Sequence, residues 1–140
     1  MHVLDTNVIS EARKSRCDAR VRNWLAAQEV ADLYLSAITV LEVQRGITQA
    51  RCRGDARQAA VIEKWLDDHV LPAFDGRILP VDGQVARRAG RLDWPDSRDY
   101  RDALIAATAL EHGAAVATRN VRHFEALGVR LVNPWDAGTV

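Results

Sequence analysis

Short apolar runs and longer amphipathic stretches alternate along this chain. The apolar runs lie at residues 3–4, 33–36, 77–81, 114–118 and 130–132. Each is short, dominated by Val, Leu, Ile or Ala, and bounded by polar residues, glycine or proline, a pattern typical of strands that are buried on both faces. The pattern therefore predicts five short strands.

Between these runs, apolar residues recur every three or four positions, which predicts helices. The predicted helices cover residues 7–14, 19–28, 39–50, 55–70, 82–91 and 103–110. We expect Thr39 and Asp82 to cap the helices that they begin, because their side-chain oxygens accept free backbone N–H groups. Strands that alternate with helices predict the α/β class, as a three-layer α/β/α domain with a central, mostly parallel sheet.

Composition and charge set limits on this domain. The chain has 140 residues, 48% of them hydrophobic, and 19 basic residues balance 19 acidic ones. This length and composition predict a single domain over residues 1–140. The balanced charge argues against a protein that binds nucleic acid through a net positive charge spread over its whole surface. The longest stretch without Asp, Glu, Lys or Arg has nine residues, far fewer than the ~20 of a membrane helix. With no secretory signal and no zinc-like cysteine spacing, we expect a cytoplasmic protein without a membrane segment.

Acidic residues follow the predicted strands or lie near the start of the next helix. Asp5 comes directly after the first strand, Glu42 one turn into the helix after the second, and Asp102 at the start of the apolar helix; Asn120 follows the fourth strand. Ligands of parallel sheets bind outside the carboxyl ends of the strands. We therefore expect these side chains to converge.

Each of these residues also has an ordinary structural explanation. Asp5 can cap a helix, Asp99 and Asp102 can form a capping pair, and Glu42 can be a solvated helix residue. Apolar neighbours argue against this for Glu42 and Asp102, and no Lys or Arg is obviously placed to serve both. Two carboxylates 4 Å apart repel by about 4 kcal/mol at an effective dielectric of 20. A divalent cation relieves that repulsion, and oxygen ligands favour Mg²⁺ or Mn²⁺ over zinc.

At these residues the sequence resembles the PIN-domain family, and within it the VapC (FitB-like) toxins of type II toxin–antitoxin modules. The resemblance runs almost end to end through four acidic motifs. They are Leu4-Asp5-Thr6-Asn7-Val8, the segment from Ser36 to Glu42, the segment from Asp102 to Ala109, and Val116-Ala117-Thr118-Arg119-Asn120 with Phe124. Val132-Asn133-Pro134-Trp135 resembles the ending of this subgroup.

The resemblance implies a Mg²⁺-dependent endoribonuclease toxin, with Mn²⁺ as a substitute ion, that hydrolyses RNA and is neutralised by a cognate VapB/FitA-like antitoxin. It also implies a homodimer. Asp5, Glu42 and Asp102 would bind the metal, and Asn120 would complete the catalytic group where relatives carry Asp or Asn. His123 stands where relatives often carry an acid. Because both departures reduce negative charge, we expect one well-held ion.

Other residues near these motifs are candidates for supporting roles. Arg101, Arg119 and Arg122 flank the acidic residues and suit phosphate contact, although a solvated face or a partner contact explains them equally well. Thr6, Asn7 and Thr118 are candidates to orient the ligands, with turn and cap chemistry as the alternative. No GxSxG, Cys/His or phosphate-loop motif points to another hydrolase or to nucleotide binding. A degenerate PIN scaffold that binds RNA or protein without cleavage remains the alternative function.

Overall fold

The computed structural model describes residues 1–93 and 100–137. Its strands are β1 (His2–Leu4), β2 (Leu33–Ser36), β3 (Ile78–Leu79), β4 (Ala115–Ala117) and β5 (Leu131–Val132). Its helices are α1 (Thr6–Ala12), α2 (Ala19–Ala26), α3 (Ala37–Cys52), α4 (Ala56–Trp65), α5 (Leu71–Ala73), α6 (Gly83–Arg91), α7 (Arg101–Glu111), α8 (Val121–Phe124) and α9 (Pro134–Ala137). A π-helical turn, Leu66–Val70, joins α4 to α5. Asp99 lies outside the described residues.

The described strands form one sheet in the order β3-β2-β1-β4-β5, and every adjacent pair is parallel. The predicted α/β class is confirmed, and the mostly parallel sheet is parallel throughout. The chain leaves β1 toward β2 on one side and later returns to pair β4 on the other. The carboxyl ends of β1 and β4 therefore form the switch point at which open α/β sheets bind ligands.

Helices cover both faces of the sheet, as the predicted three-layer arrangement requires. Side chains alternate between faces along each strand. Leu4 and Leu35 pack on one face against α1, α2, α3 and α4, while Val3 and Val116 pack on the other against α7 and α8. Because both faces are buried, the strands need no polar face, which explains why they appear as continuous apolar runs.

Helix boundaries differ from the predicted ones where capping was misjudged. α3 begins at Ala37 because Ser36, the last residue of β2, accepts the backbone N–H of Ile38 at 3.1 Å. The prediction that Thr39 caps this helix is wrong: Thr39 is buried inside its first turn. Asp82 caps α6 as predicted, by accepting the Val85 N–H at 2.9 Å. In the described ranges, no helix is both long and apolar enough to cross a membrane.

Candidate active site

Asp5 lies at the switch point, immediately after β1. Its backbone N–H donates to the carbonyl of Ala117 at the end of β4 (2.9 Å), which extends the sheet pairing to Asp5 itself. Its carboxylate caps α1 by accepting the Thr6 N–H on Oδ1 at 2.8 Å. Only 6% of Asp5 is exposed. The predicted helix cap and the predicted site residue are therefore the same carboxylate.

Thr118, which follows β4, and Asn7 in α1 hold the second oxygen of this carboxylate. The Thr118 hydroxyl donates to Asp5 Oδ2 at 2.7 Å, and Asn7 Nδ2 donates to the same oxygen at 3.3 Å. Burial raises the pKa of Asp5 above its ordinary value, and the hydrogen bonds from Thr118 and Thr6 offset part of that rise. Thr118, Asn7 and Thr6 thus orient a desolvated carboxylate, in the positions where the sequence suggested supporting residues.

Glu42 reaches the same place from α3. The Thr6 hydroxyl donates to Glu42 Oε1 at 2.9 Å, while the Thr6 N–H binds Asp5, so a single residue contacts both carboxylates. Burial raises the pKa of Glu42, and repulsion from Asp5 and Asp102 adds to the rise; Thr6 and Arg101 oppose it. This mutual repulsion follows from the convergence of acids that are distant in the chain.

Asp102 lies in the first turn of α7 and is more exposed than its apolar helix suggested. Its side chain is 39% exposed, and Oδ2 lies 3.3 Å from His123 Nδ1. His123 also lowers the pKa of Asp5 by its charge. The sequence analysis noted His123 only as a departure from the family pattern. Its position one turn after Asn120 is the signal that places it on the same edge of the sheet.

Arg101 provides a basic partner that the sequence did not indicate. Its Nη1 lies 3.7 Å from Glu42 Oε2, across the gap between α7 and α3. The sequence offered no Lys or Arg obviously placed to serve both Glu42 and Asp102, and Arg101 lies within ion-pair distance of Glu42. The pair is half-exposed, so solvent screens much of the attraction.

The remaining predicted residues, Asn120, Arg119 and Arg122, lie at the edge of the acidic site near the start of α8. Asn120 is exposed at the start of α8, where its backbone N–H donates to the Thr118 hydroxyl at 3.0 Å. Its side chain makes no hydrogen bond to the acidic residues in the described structure. The guanidinium of Arg119 stacks on the ring of Trp135, 5.1 Å from its centroid. Arg122 is exposed and lines a rim pocket together with Asn120 and His123.

The donor set is suited to a hard cation, although it does not form a complete protein cage. Among residues 1–93 and 100–137, no three His, Cys, Asp or Glu side chains are grouped closely enough to hold a metal by themselves. Mg²⁺ does not require this, since it usually binds one or two carboxylates and keeps several waters. A divalent charge would relieve the repulsion by which Asp5 and Asp102 raise the pKa of Glu42. The residues present therefore fit a divalent ion that is held partly by water.

Comparison with known proteins agrees with this geometry. The model of the family described as PIN domain matches residues 2–129. The chain belongs to the PIN-domain family. This PIN domain is 40% identical to the VapC ribonuclease Y4jK of Sinorhizobium fredii, over 97% of this chain and 99% of that protein. It is 38% identical to the toxin FitB of Neisseria gonorrhoeae, over 96% of this chain and 99% of FitB.

Solved structures show the same likeness in three dimensions. The PIN domain superposes on a chain of the crystal structure of FitAcB from Neisseria gonorrhoeae with a TM-score of 0.85 and 37% identity. The superposition covers 97% of this chain and 99% of that one. A chain of FitAB bound to an IR36 DNA fragment gives a TM-score of 0.84, with 96% of each chain covered. The predicted family and fold are both confirmed.

Proposed function

We propose that this chain is the ribonuclease toxin of a toxin–antitoxin module, a metal-dependent enzyme that hydrolyses phosphodiester bonds in RNA. The observation that carries the proposal is the meeting of Asp5 and Glu42 on Thr6, with Asp102 close enough to raise the pKa of Glu42. Full-length relatives named as a VapC ribonuclease and as the toxin FitB support it. A toxin of this kind requires a cognate antitoxin as its partner.

Divalent-metal dependence is general among PIN-domain VapC ribonucleases. For this chain we assign Mg²⁺, with Mn²⁺ as a substitute, to Asp5, Glu42 and Asp102. When bound, the ion supplies positive charge that stabilises the reacting phosphate and lowers the pKa of water. No nucleophilic side chain is then needed, which agrees with the lack of a serine or cysteine motif in the sequence.

The chain's own residues prepare the site. Thr118, Asn7 and the Thr6 N–H hold the Asp5 carboxylate in one orientation, so no reorganisation is required when substrate arrives. Arg101, whose Nη1 lies 3.7 Å from Glu42 Oε2, brings a guanidinium to the edge of the site, where it is positioned to bind an RNA phosphate. At the edge of the acidic site, Asn120 and Arg122 are positioned to contact the RNA strand. Arg119 supports that edge through Trp135.

Cleavage assays with matched variants test the proposal. Purified wild type should cleave RNA with Mg²⁺ and stop when the ion is chelated. Asp5→Asn and Asp102→Asn should each lose activity by about 10²-fold or more, because they remove charge that stabilises the transition state. Asp67→Asn, at an exposed acid on the π-helical turn, is the matched control and should remain active. Equal activity of Asp5→Asn and wild type would refute the assignment.

A second candidate is a PIN scaffold that binds RNA or a protein without cleaving. The neutral and exposed Asn120, together with the His123 contact to Asp102, favours it because both reduce the negative charge of the site. It predicts that metal-loaded wild type binds RNA and leaves it intact, and that Asp102→Ala binds equally well. The cleavage assay therefore distinguishes the two functions.

We also propose that the toxin acts in the cytoplasm as a homodimer, and that residues 1–140 form a single domain. Light scattering on the purified protein should give twice the chain mass of 15.5 kDa. Limited proteolysis should leave one resistant core rather than two. A monomeric mass at micromolar concentration would remove the dimer from the proposal without affecting the site.

A further inference from the structure

A cleft of about 560 Å³ extends from the acidic site along α3. Thr6 and Glu42 line one end of it, where Glu42 accepts the Thr6 hydroxyl. Arg45 and Gln49 line its length, since residues 42, 45 and 49 fall on one face of the helix. At 1.5 Å per residue, this face runs for about 10 Å beyond Glu42. Any occupant of the cleft therefore lies beside the reacting groups.

We propose that this cleft holds the single-stranded ribonucleotide next to the scissile phosphate, and that Arg45 binds its phosphate. The inference rests on the proposed function and adds a substrate subsite to it. Arg45 belongs to none of the sequence motifs described above, and the family resemblance gave it no role.

Charge is the first argument for a phosphate. Arg45 is exposed and forms no ion pair with any residue in the described ranges. Arg101 lines the same cleft from α7, and Glu42 is the one carboxylate among the lining residues of the described chain. A guanidinium offers two parallel N–H donors, which match two phosphate oxygens. The wall beyond Glu42 is therefore basic, as an anion site requires.

Shape is the second argument. Gly46 lies on the floor of the cleft, and a Cβ placed on it would meet nothing within 4 Å. The cleft stays open because this helical position carries no side chain. Leu41, 47% exposed, adds apolar surface to the same wall. A nucleotide matches both kinds of surface: its phosphate suits the arginines, and the faces of its base and sugar suit the apolar surface of Leu41.

Binding of a fluorescein-labelled oligouridylate, measured by fluorescence polarisation, tests the subsite. All variants carry Asp5→Asn, so that the RNA stays intact. Arg45→Met keeps the aliphatic stem and removes the charge. One lost phosphate contact should weaken binding about fivefold at ~0.1 M salt and make the log–log salt slope shallower by about 0.7. Arg57→Met, at an exposed arginine on α4 away from the cleft, should bind as the parent does.

A second variant tests shape without removing charge. Gly46→Gln fills the cleft and improves helix propensity, so the fold is not at risk. It should weaken RNA binding and, in the Asp5 wild-type background, slow cleavage. Unchanged binding and cleavage in both Arg45→Met and Gly46→Gln would overturn the subsite, while active wild type would still support the ribonuclease. Wild type that neither binds nor cleaves RNA would refute both.

A poly-glutamate peptide of similar length is the comparison probe. If the cleft is built for RNA, Arg45→Met should reduce oligouridylate binding much more than poly-glutamate binding. An equal loss for both probes, or a loss for the peptide alone, would overturn the inference and assign the cleft to an acidic protein segment.

Discussion

At the residue scale, Asp5 accepts hydrogen bonds on both oxygens of one buried carboxylate. Oδ1 caps α1, and Oδ2 receives the hydroxyl of Thr118 and the amide of Asn7. These bonds offset part of the rise in the pKa of Asp5 that burial causes. A capping explanation and a catalytic explanation were alternatives in the sequence. In the structure the cap of α1 occupies Oδ1 only, so capping does not exclude the metal-binding role proposed above.

The pH dependence of stability reports on Glu42. Its pKa is raised in the folded protein, so folding weakens as pH rises from the ordinary glutamate value of about 4.3 through the raised value. Glu42→Gln removes this loss and keeps an oxygen for the Thr6 hydroxyl. We expect it to be more stable than wild type at pH 7 by up to about 1 kcal/mol, and equal to it below pH of about 4. Urea unfolding across this range measures the difference; a variant less stable at pH 7 would contradict it.

Thr118 provides a second test at this scale. Thr118→Val removes the donor to Asp5 and the acceptor for the Asn120 N–H, and leaves a buried carboxylate underbonded. We expect a loss of about 1–3 kcal/mol in the free energy of unfolding, together with a further rise in the pKa of Asp5. Thr118→Ser keeps the hydroxyl and serves as the control. Equal stability of the Val and Ser variants in urea would show that the hydroxyl does not support Asp5.

At the scale of elements, α3 links the sheet to the site. Its cap, Ser36, is the last residue of β2, so the helix starts at the carboxyl end of the sheet without a loop. Glu42 then lies one and a half turns along it, next to Thr6. Ser36 is also fully buried, 3.4 Å from the hydroxyl of Thr108 on α7. The junction thus sets the position of α3 relative to strand β2 and helix α7.

The Ser36 cap can be tested directly. Ser36→Ala leaves the Ile38 N–H without its acceptor in a buried place, and we expect it to cost about 1 kcal/mol, up to about 2. Thr48→Ala removes an exposed hydroxyl from the same helix and should change stability by less than about 0.5 kcal/mol. Chemical denaturation of both variants makes the comparison. A Ser36→Ala variant as stable as the Thr48→Ala control would remove the cap from this account.

At the scale of the whole molecule, chain topology assembles the site. The strand order places the ends of β1 and β4 side by side, which joins residues 5 and 118 through a hydrogen bond across 113 positions of sequence. α3 and α7 add Glu42 and Asp102 from helices that flank this edge. This arrangement costs electrostatic free energy, because the packing of the fold brings the like charges of Asp5, Glu42 and Asp102 together. A cation lowers that cost.

Ion binding should therefore stabilise the whole fold. A ligand that binds only the folded state at about ten times its Kd adds roughly 1.4 kcal/mol to the free energy of unfolding. Thermal melts of metal-free protein should shift upward as Mg²⁺ is added, and Asp5→Asn should reduce the shift. Sodium chloride at equal ionic strength, free of divalent ions, is the control for the screening of charges by salt. Melting curves that do not move with Mg²⁺ would count against the metal site.

The amino-acid sequence is enough to establish the class of the fold and the candidate residues of the site. Short apolar runs predicted all five strands within a residue or two, because a sheet buried on both faces leaves an unbroken hydrophobic signal. Asp5 was identifiable because it follows a strand directly, and Glu42 and Asp102 because they lie near the start of a predicted helix among apolar neighbours. Helix starts were less predictable: whether Ser36 or Thr39 caps α3 depends on which hydroxyl faces a free N–H.

Tertiary structure alone decided how these residues are paired. That Thr6 contacts two carboxylates, that Arg101 faces Glu42, and that His123 faces Asp102 are contacts between separate elements. The cleft along α3 likewise exists only because α7 packs opposite that helix. Local patterns carry no information about such distances, since they are set by strand order and by the packing of helices on the sheet. The residue types therefore supply the carboxylates and their hydrogen-bond partners, and the topology of the fold brings these groups together in one site.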